Sequence, residues 1–361
     1  MPAGGLVRVS NRDRAALELL FEACFASKPD EQWYRWKYES DARFDGLGLG
    51  MWEAGSLIAH YAGFPRWLVC GTSRLQALQI GDVMIHPKAR HGLAKRNRFA
   101  KLTQGYFLTY LKHRDANNLQ GTRFDIAYGF PNDRHLQQGE LQACYRTADA
   151  MFELFWRIDR SPNTHSLSAI EPAAFEHHPL VPKAFDDLSA AMLKALGPRG
   201  CWAVPRSLAY WQWRFPTQRG YQWLVIHKPE SSDDLLAAAM VKPMAHNPKE
   251  YELVDWLCRP GFECEAFACL LAHLQKASCE YLRTWCSEAA SHYFKTMPAD
   301  RIDRLDFHMA LSIYPSQEVA NQIQPRPANR GQEGIADQEQ TTNTDPCQGG
   351  LWMLSGDTDF R

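Results

Sequence analysis

Apolar positions in the first third of the chain predict a strand, an amphipathic helix and then a meander of strands. Leu19, Leu20 and Ala23 recur at helical spacing after the capping residues 11–13, so a helix is predicted over residues 14–23. Alternating apolar residues on both sides of a Glu-Ala-Gly-Ser turn predict strands. The predicted strands cover residues 6–9, 48–52, 57–62 and 75–86.

The pattern changes after Pro87, where a basic, glycine-containing stretch at residues 88–98 interrupts the strands. An amphipathic helix follows at residues 99–112, because its apolar residues fall on one face. The elements predicted next are a strand at 124–130, a helix at 133–145 and a strand at 151–158. The order is therefore strand, basic loop, helix, strand.

The second half of the chain repeats this order of elements. Prolines between residues 162 and 198 mark a junction around one predicted helix, residues 185–196. Beyond it we predict a helix at 264–277 and strands at 221–227, 235–242, 251–258, 282–286 and 307–314. Residues 316–349 lack a periodic apolar pattern and predict a disordered insertion, after which residues 351–354 could return as an edge strand.

Two short motifs occur twice in the same order. Trp36 to Tyr38 is repeated at Trp213 to Phe215, an offset of 213 − 36 = 177, and the motif that begins at Asp82 is repeated at Asp255, an offset of 255 − 82 = 173. These offsets are the size of a whole domain and indicate a duplication, with chance similarity of short motifs as the alternative. The predicted domains are residues 1–165 and 201–361, joined by a helical linker at 166–200.

Composition narrows the classes of function. Lys and Arg number 40 against 41 Asp and Glu, giving a net charge of −1, which argues against a general binder of nucleic acid or anionic membrane. The ten cysteines include no Cys-x-x-Cys pair, so no metal site is indicated. No apolar run is long enough for a signal peptide or a membrane helix. We therefore expect a soluble, cytoplasmic protein.

The order of strand, basic loop, helix and strand before Pro131-Asn132 resembles the GNAT superfamily of acyl-CoA-dependent N-acyltransferases. The resemblance covers residues 6–160 and, more weakly, 201–315. It implies two tandem α/β (α+β) domains, each with a mixed, mainly antiparallel central sheet flanked by helices. It also implies a V-shaped opening between the fourth and fifth strands of each sheet.

In this family the loop after the fourth strand holds the pyrophosphate of coenzyme A on backbone amides at a helix N-terminus, where an anion is favoured. The resemblance therefore implies acetyl-CoA or another acyl-CoA as co-substrate, with no metal. The stretch from Arg90 to Ala94 is one residue shorter than the family spacing, so a solvated basic turn is the alternative. The implied binding residues are Ile85, Arg90, Gly92, Leu93, Ala94, Lys95, Arg96, Arg98 and Asn132.

The resemblance also implies catalytic roles. A carboxylate on the fourth strand often serves as general base, which points to Asp82, with a structural carboxylate as the alternative. A tyrosine often protonates the leaving thiolate, but its expected position is Glu140, so Glu140 or Tyr128 is the candidate acid. The backbone N–H near Ile85 would meet the developing oxyanion.

The second repeat departs from the family pattern, because Glu263 and Glu265 would repel a pyrophosphate. Coenzyme A is therefore predicted to bind only in the first repeat. The aromatic clusters at residues 33–38 and 210–215 either line an acceptor groove or pack in the core, and their repetition favours the core.

These observations predict an N-acyltransferase that moves an acyl group, acetyl in the first instance, to a primary amine of a small molecule or peptide. One alternative is an inactive acyl-CoA-binding or sensory protein, which the short loop and the missing tyrosine favour. A second alternative is a Fem-type transferase that uses aminoacyl-tRNA, for which a basic stripe would be expected.

Overall fold

A computed structural model describes residues 5–39, 47–90, 95–111, 124–141, 144–158, 168–170, 181–216, 219–228, 231–312 and 350–358. The chain forms two compact units. The first unit comprises Met1–Trp67, Leu75–Ala148 and Phe307–Gln322, and the second comprises Leu68–Arg74, Asp149–Asp306 and Ile323–Arg361. No helix among the described residues is both long enough and apolar enough to cross a membrane.

The helices and strands follow the predicted order, with several additional short elements. The strands are β1 Leu6–Val9, β2 Gly48–Glu53, β3 Ser56–Cys70, β4 Ser73–Ile85, β5 Ile126–Gly129, β6 Tyr145–Arg157, β7 Ser168–Ile170, β8 Trp202–Ala203, β9 Gln222–Lys228, β10 Ser231–Met244, β11 Asn247–Cys258, β12 Tyr281–Ser287, β13 Arg301–Ser312 and β14 Leu351–Trp352. The α-helices are α1 Arg14–Phe25, α2 Glu31–Tyr34, α3 Lys95–Tyr110, α4 Asp133–Leu141, α5 Val181–Leu196, α6 Leu208–Arg214, α7 Glu263–Lys276 and α8 Glu288–Tyr293.

The sheet of the first unit has the order β1-β2-β3-β4-β5-β13. β1, β2 and β3 pair antiparallel, β4 and β5 pair parallel, and β13 runs antiparallel to β5. A parallel pair needs a crossover connection, and α3 lies between β4 and β5 in the chain. The apolar faces of sheet and helix meet in one core that includes Leu78, Tyr106 and Ala127.

The sheet of the second unit has the order β6-β12-β11-β10-β9-β7. β7, β9, β10 and β11 pair antiparallel, β11 and β12 pair parallel, and β6 runs antiparallel to β12. The helix α7 lies between β11 and β12, as α3 lies between β4 and β5. The two units therefore repeat one order of elements, as the proposed duplication predicts.

The units are not the continuous ranges predicted from sequence. The sixth strand position is filled by residues 307–312 of β13 in the first unit and by residues 149–157 of β6 in the second. The predicted linker helix, α5, contributes Phe185, Leu188 and Met192 to the core of the second unit. Periodicity identifies a strand but not its partner, so the sequence pattern could not show this exchange.

The C-terminal segment belongs to the second unit. Of the strand predicted at residues 351–354, Leu351 and Trp352 form β14, which pairs parallel with β8. The predicted insertion at 316–349 lies outside the described residues.

Candidate functional site

The fourth strand of the first unit continues past its parallel partner. β4 and β5 pair at three positions, the last being Gln79 with Tyr128. β5 ends at Gly129, whereas β4 continues to Ile85. Asp82 adopts a φ of +51°, in the left-handed region that residues with a side chain rarely adopt. The resemblance predicts an opening between the fourth and fifth strands, and β4 and β5 are not paired with each other beyond Gln79.

Asp82 lies in the part of β4 that is not paired with β5, and both oxygens of its carboxylate accept hydrogen bonds. Lys37 donates from Nζ to Oδ1 at 2.8 Å, and the Tyr38 hydroxyl donates to Oδ2. The side chains of Lys37 and Asp82 are 5% and 9% exposed, so this ion pair is largely removed from water. The ring Nδ1 of His60 also lies 3.1 Å from the Asp82 carbonyl oxygen. Within the first unit, the motif at Trp36 to Tyr38 therefore contacts the motif that begins at Asp82.

The corresponding carboxylate in the second unit is held in a similar way. Asp255 follows the last parallel pair by three residues, as Asp82 does (255 − 252 and 82 − 79). It accepts hydrogen bonds from Arg206 Nε at 2.7 Å and from Trp211 Nε1 at 2.9 Å. Burial raises the pKa of Asp255 to about 6, although Arg206 opposes this shift. A repeated, paired carboxylate supports the structural alternative, and the role of Asp82 as base stays a prediction.

His60 lies at a narrow pocket of the first unit that Ser10, Tyr38, Gly48 and Phe64 also line. Burial lowers the pKa of His60, and the neighbouring Asp82 opposes this shift only in part, so the imidazole is neutral at pH 7. Gly48 is required here, because a Cβ at this position would lie 2.7 Å from His60 Nε2. A neutral imidazole therefore lies next to the backbone carbonyl of Asp82.

The end of β4 is anchored by its own neighbours. The Ile85 carbonyl oxygen accepts from Arg90 Nε at 2.7 Å and from Cys24 Sγ at 3.4 Å. Burial raises the pKa of the Cys24 thiol, and Arg90 opposes that shift. These contacts tie α1 and the 3-10 turn Pro87–Arg90 to the strand end where the resemblance places the thioester.

The predicted phosphate loop is described only at its two ends. Gly92, Leu93 and Ala94 lie outside the described residues, and α3 begins at Lys95. Lys95 and Arg96 thus form the first turn of a 16-residue helix, whose N-terminal N–H groups favour an anion. Arg98 donates to the Ala89 carbonyl at 3.2 Å and pairs with Glu53. Arg98 therefore also holds the turn that precedes the loop.

Asn132 and Tyr128 flank the other side of the opening. The Asn132 side chain accepts from the backbone N–H of His135 at 3.0 Å, which caps the first turn of α4. Tyr128 is 1% exposed, and its ring packs edge-on against Phe130 with centroids 6.2 Å apart. Both positions lie at the carboxyl end of β5, where the resemblance expects the pantetheine arm.

Glu140 is exposed on α4, and its Oε1 accepts from the Thr147 backbone N–H at 3.0 Å and from the Thr147 hydroxyl at 2.8 Å. Glu140 thus already accepts two hydrogen bonds from Thr147, and its role as the acid stays a prediction.

An aromatic residue of β6, Tyr145, packs against this part of α4. A Cβ at Gly139 would lie 2.0 Å from the ring of Tyr145, so that ring packs directly on the helix backbone. The Tyr145 hydroxyl donates to the His135 carbonyl at 2.8 Å, and burial raises its pKa. A lone glycine within a helical pattern is the sequence signal that could have indicated this close packing.

In the second unit, a carboxylate of the chain itself binds an amide of the loop that follows the fourth strand. Gly261, with a φ of +90°, donates its N–H to Glu263 at 2.8 Å. Glu263 and Glu265 lie in the first turn of α7. A carboxylate therefore already occupies a loop amide, and the local charge opposes a phosphate.

The described residues include no group of three or more His, Cys, Asp or Glu side chains arranged to hold a metal ion. A scan of protein-family models and a search of curated protein sequences give no match to this chain.

Solved structures with a similar fold are found at low sequence identity. A conserved protein of unknown function from Enterococcus faecalis V583, described as a probable N-acyltransferase, is 13% identical over 87% of this chain and 73% of its own, with a TM-score of 0.63. A GCN5-related N-acetyltransferase from Anabaena variabilis is 14% identical over 85% and 72%, with a TM-score of 0.59.

A third similar structure is N-myristoyltransferase of Saccharomyces cerevisiae with bound myristoyl-CoA. It is 10% identical over 88% of this chain and 80% of its own, with a TM-score of 0.50. Likeness at such identities concerns the fold and not the substrates. The chain has the fold of the GCN5-related N-acetyltransferases.

Proposed function

We propose that the protein is an N-acyltransferase that transfers an acyl group from acyl-CoA to a primary amine, and that the acyl-CoA binds in the first unit. One observation carries this proposal: the end of β4 extends beyond β5 and leads, through a basic turn, to the N-terminus of α3. An unpaired strand end offers backbone hydrogen bonds to a pantetheine arm, and a helix N-terminus offers N–H groups to a pyrophosphate.

Charge supports the choice of the first unit. Lys95 and Arg96 are the first two residues of α3, which follows the basic turn that ends at Arg90, whereas Glu263 and Glu265 lie in the first turn of α7. A pyrophosphate would gain charge-assisted contacts at the first helix and meet repulsion at the second. Gly92, Leu93 and Ala94 would supply loop amides, with Arg98 holding the turn and Asn132 near the pantetheine arm.

The reaction requires three groups. The amine nitrogen attacks the thioester carbonyl, a backbone N–H near Ile85 meets the oxyanion, and the C–S bond then breaks to release the thiolate. Asp82, fixed by Lys37 and Tyr38, is the proposed acceptor of the amine proton. Tyr128 is the proposed donor to the thiolate in preference to the exposed Glu140.

Calorimetric titration with acetyl-CoA and longer acyl-CoAs, combined with a thiol-release assay over a panel of amines, tests the proposal. We expect one site per chain and release of free thiol only when an acceptor amine is present. Binding without turnover on any amine would support the sensory alternative, and turnover only with aminoacyl-tRNA would support the Fem-type alternative.

The binding site has its own test. Lys95→Glu with Arg96→Glu places two negative charges at the start of α3, so acyl-CoA affinity should fall at least tenfold. The matched control is Arg304→Glu, which changes charge at an exposed position on β13 and should leave affinity unchanged. An equal affinity in the two variants would remove the helix start from the site.

A further inference from the structure

The second unit contains an opening similar to that of the first. β11 and β12 pair parallel only from Glu250–Tyr281 to Glu252–Arg283. β11 then continues to Cys258, and the register of β11 against β10 shifts beside Asp255, which is the mark of a bulge. Beyond Glu252 the two strands are therefore not paired with each other.

The C-terminal segment, residues 350–358, lies in this opening and bonds to both strands. On the β12 side, the Ser287 backbone N–H donates to the Met353 carbonyl at 3.0 Å, and Leu354 forms an antiparallel bridge with Cys286. On the β11 side, the Ser355 hydroxyl donates to the Leu253 carbonyl at 3.2 Å. A short extended stretch followed by a 3-10 turn at Ser355–Asp357 thus bonds to both strands, and it shares the Leu253 carbonyl with the Thr284 hydroxyl of β12.

The contacts of the segment depend on its sequence. Leu351, Trp352, Met353 and Leu354 are all 0–1% exposed, so four consecutive side chains are buried in the second unit. The Arg206 guanidinium lies 4.6 Å from the centroid of the Trp352 ring. Burying this much apolar surface is the largest favourable contribution that a short peptide can make.

The polar end of the segment is also recognised. Asp357 pairs with Arg206, the same guanidinium that binds Asp255. Arg214, the counterpart of Lys37 in the repeated motif, donates to the Gly356 carbonyl at 2.9 Å and to the Thr358 carbonyl at 2.6 Å. These contacts bind both the Asp357 carboxylate and the backbone carbonyls of the segment.

The glycine of the segment has no room for a side chain. A Cβ at Gly356 would lie 2.6 Å from the Phe215 ring and 2.8 Å from the Val254 carbonyl oxygen. Phe215 belongs to the second copy of the aromatic motif, so this repeated motif shapes the site for the segment.

We propose that the opening of the second unit is a peptide-binding site, and that its ligand is the C-terminal segment of the same chain. The ligand class is a peptide with a short apolar extended stretch followed by a Ser-Gly-Asp-Thr turn. Residues 313–349 tether it to β13, which gives the segment a high effective concentration. This proposal does not depend on acyl transfer in the first unit.

The test converts the tethered ligand into a separate one. A specific protease site is inserted between residues 330 and 340 of the full chain, and the folded protein is cut and passed over a gel-filtration column. We expect the C-terminal fragment to co-elute with the remainder at micromolar concentration. The cut protein should also exchange this fragment for a labelled synthetic peptide of residues 350–358.

Variants identify the contacts. Asp357→Asn removes the charge that faces Arg206, and Ser355→Ala removes the bond to β11, so each should weaken fragment retention at least tenfold. The matched control is Asp303→Asn, which changes an exposed carboxylate on β13 and should leave retention unchanged.

Loss of the fragment from the cut wild-type protein, with an unchanged melting temperature of the remainder, would overturn the proposal. Equal retention of the Asp357→Asn, Ser355→Ala and wild-type fragments would overturn it as well, because the described contacts would then not provide the binding.

Discussion

The Asp82→Asn variant separates the two roles considered for the carboxylate of the first unit. Asparagine keeps the size of the side chain but removes the negative charge that faces Lys37 Nζ at 2.8 Å. The Lys37 side chain is 5% exposed, so its ammonium would lose its carboxylate in a region with little water. Removing one partner of a buried ion pair costs about 3–5 kcal/mol.

Two aromatic rings reduce this cost. Lys37 Nζ lies 4.8 Å from the Trp33 ring centroid and 5.1 Å from that of Phe64. Such cation–π contacts offset about 0.5–2 kcal/mol. We therefore expect Asp82→Asn to lower the free energy of unfolding by about 2–4 kcal/mol, measured by urea denaturation with tryptophan fluorescence.

The double variant Lys37→Met/Asp82→Asn distinguishes structure from catalysis. It removes both charges and should recover most of the stability lost in Asp82→Asn, because paired buried charges can be replaced by apolar groups at little cost. If Asp82 is also the base, thiol release stays on the order of 10²–10⁴-fold below wild type in both variants while acyl-CoA affinity is kept.

A double variant with wild-type turnover would assign Asp82 a structural role alone. An Asp82→Asn protein that unfolds at the wild-type urea concentration would contradict the energetic reasoning itself, since the buried pair would then contribute nothing. The parallel substitution Asp255→Asn should destabilise the second unit in the same way, because Arg206 loses a carboxylate there.

Three further substitutions test the electrostatics and packing. Burial, together with the neighbouring Glu288, raises the pKa of Asp149 to about 8, so the folded state keeps a proton that the unfolded chain releases near pH 4. Stability should therefore fall as the pH rises from 4 to 8 by up to ~1.4 kcal/mol per pH unit, and Asp149→Asn should remove that fall in urea midpoints. Burial lowers the pKa of His135 to about 4, so the unfolded chain gains a proton first as the pH falls below 6.5. Stability should then be lost on acidification from pH 6.5 to 4, and His135→Phe should reduce that loss by up to ~3 kcal/mol. A variant that loses as much stability over this pH range as the wild type would argue against a buried neutral imidazole. Gly139→Ala should destabilise the first unit by about 1–3 kcal/mol in a thermal melt, because its Cβ would collide with the Tyr145 ring, whereas a gain in stability would mean that the ring can move aside.

Local pattern identified most of the elements. The predicted strand 6–9 is β1, and the predicted helix 264–277 differs from α7 by one residue at each end. The predicted strand 57–62 is shorter than β3, because Pro65 and Arg66 look like a break in the sequence. In the structure Arg66 donates to Gln79 on β4 at 2.9 Å, a partner that only the folded sheet supplies.

The short helices α2, α6 and α8 were not predicted, since four to seven residues carry too little periodicity. The exchange of β6 and β13 between the two halves of the chain also leaves no local signal. At the site, the family spacing indicated position 140 for an acid. The glycine at 139 could signal close packing on α4, but no local pattern identifies the ring of Tyr145 as the group that packs there. Residues that act through long-range contacts are therefore the ones that the sequence did not reveal.

The repeated motifs and the non-repeated residues carry different information about function. In each unit the fourth-strand aspartate pairs with a buried cation, Lys37 for Asp82 and Arg206 for Asp255. The second unit holds such a pair although its loop amide is already bound by Glu263, so the pair does not by itself distinguish the unit that we propose to bind acyl-CoA. The units differ in the charge at the start of the helix that follows the fourth strand, where α3 has Lys95 and Arg96 and α7 has Glu263 and Glu265. Acyl-CoA binding should therefore respond to changes at the start of α3, and stability should respond to changes in the two aspartate–cation pairs.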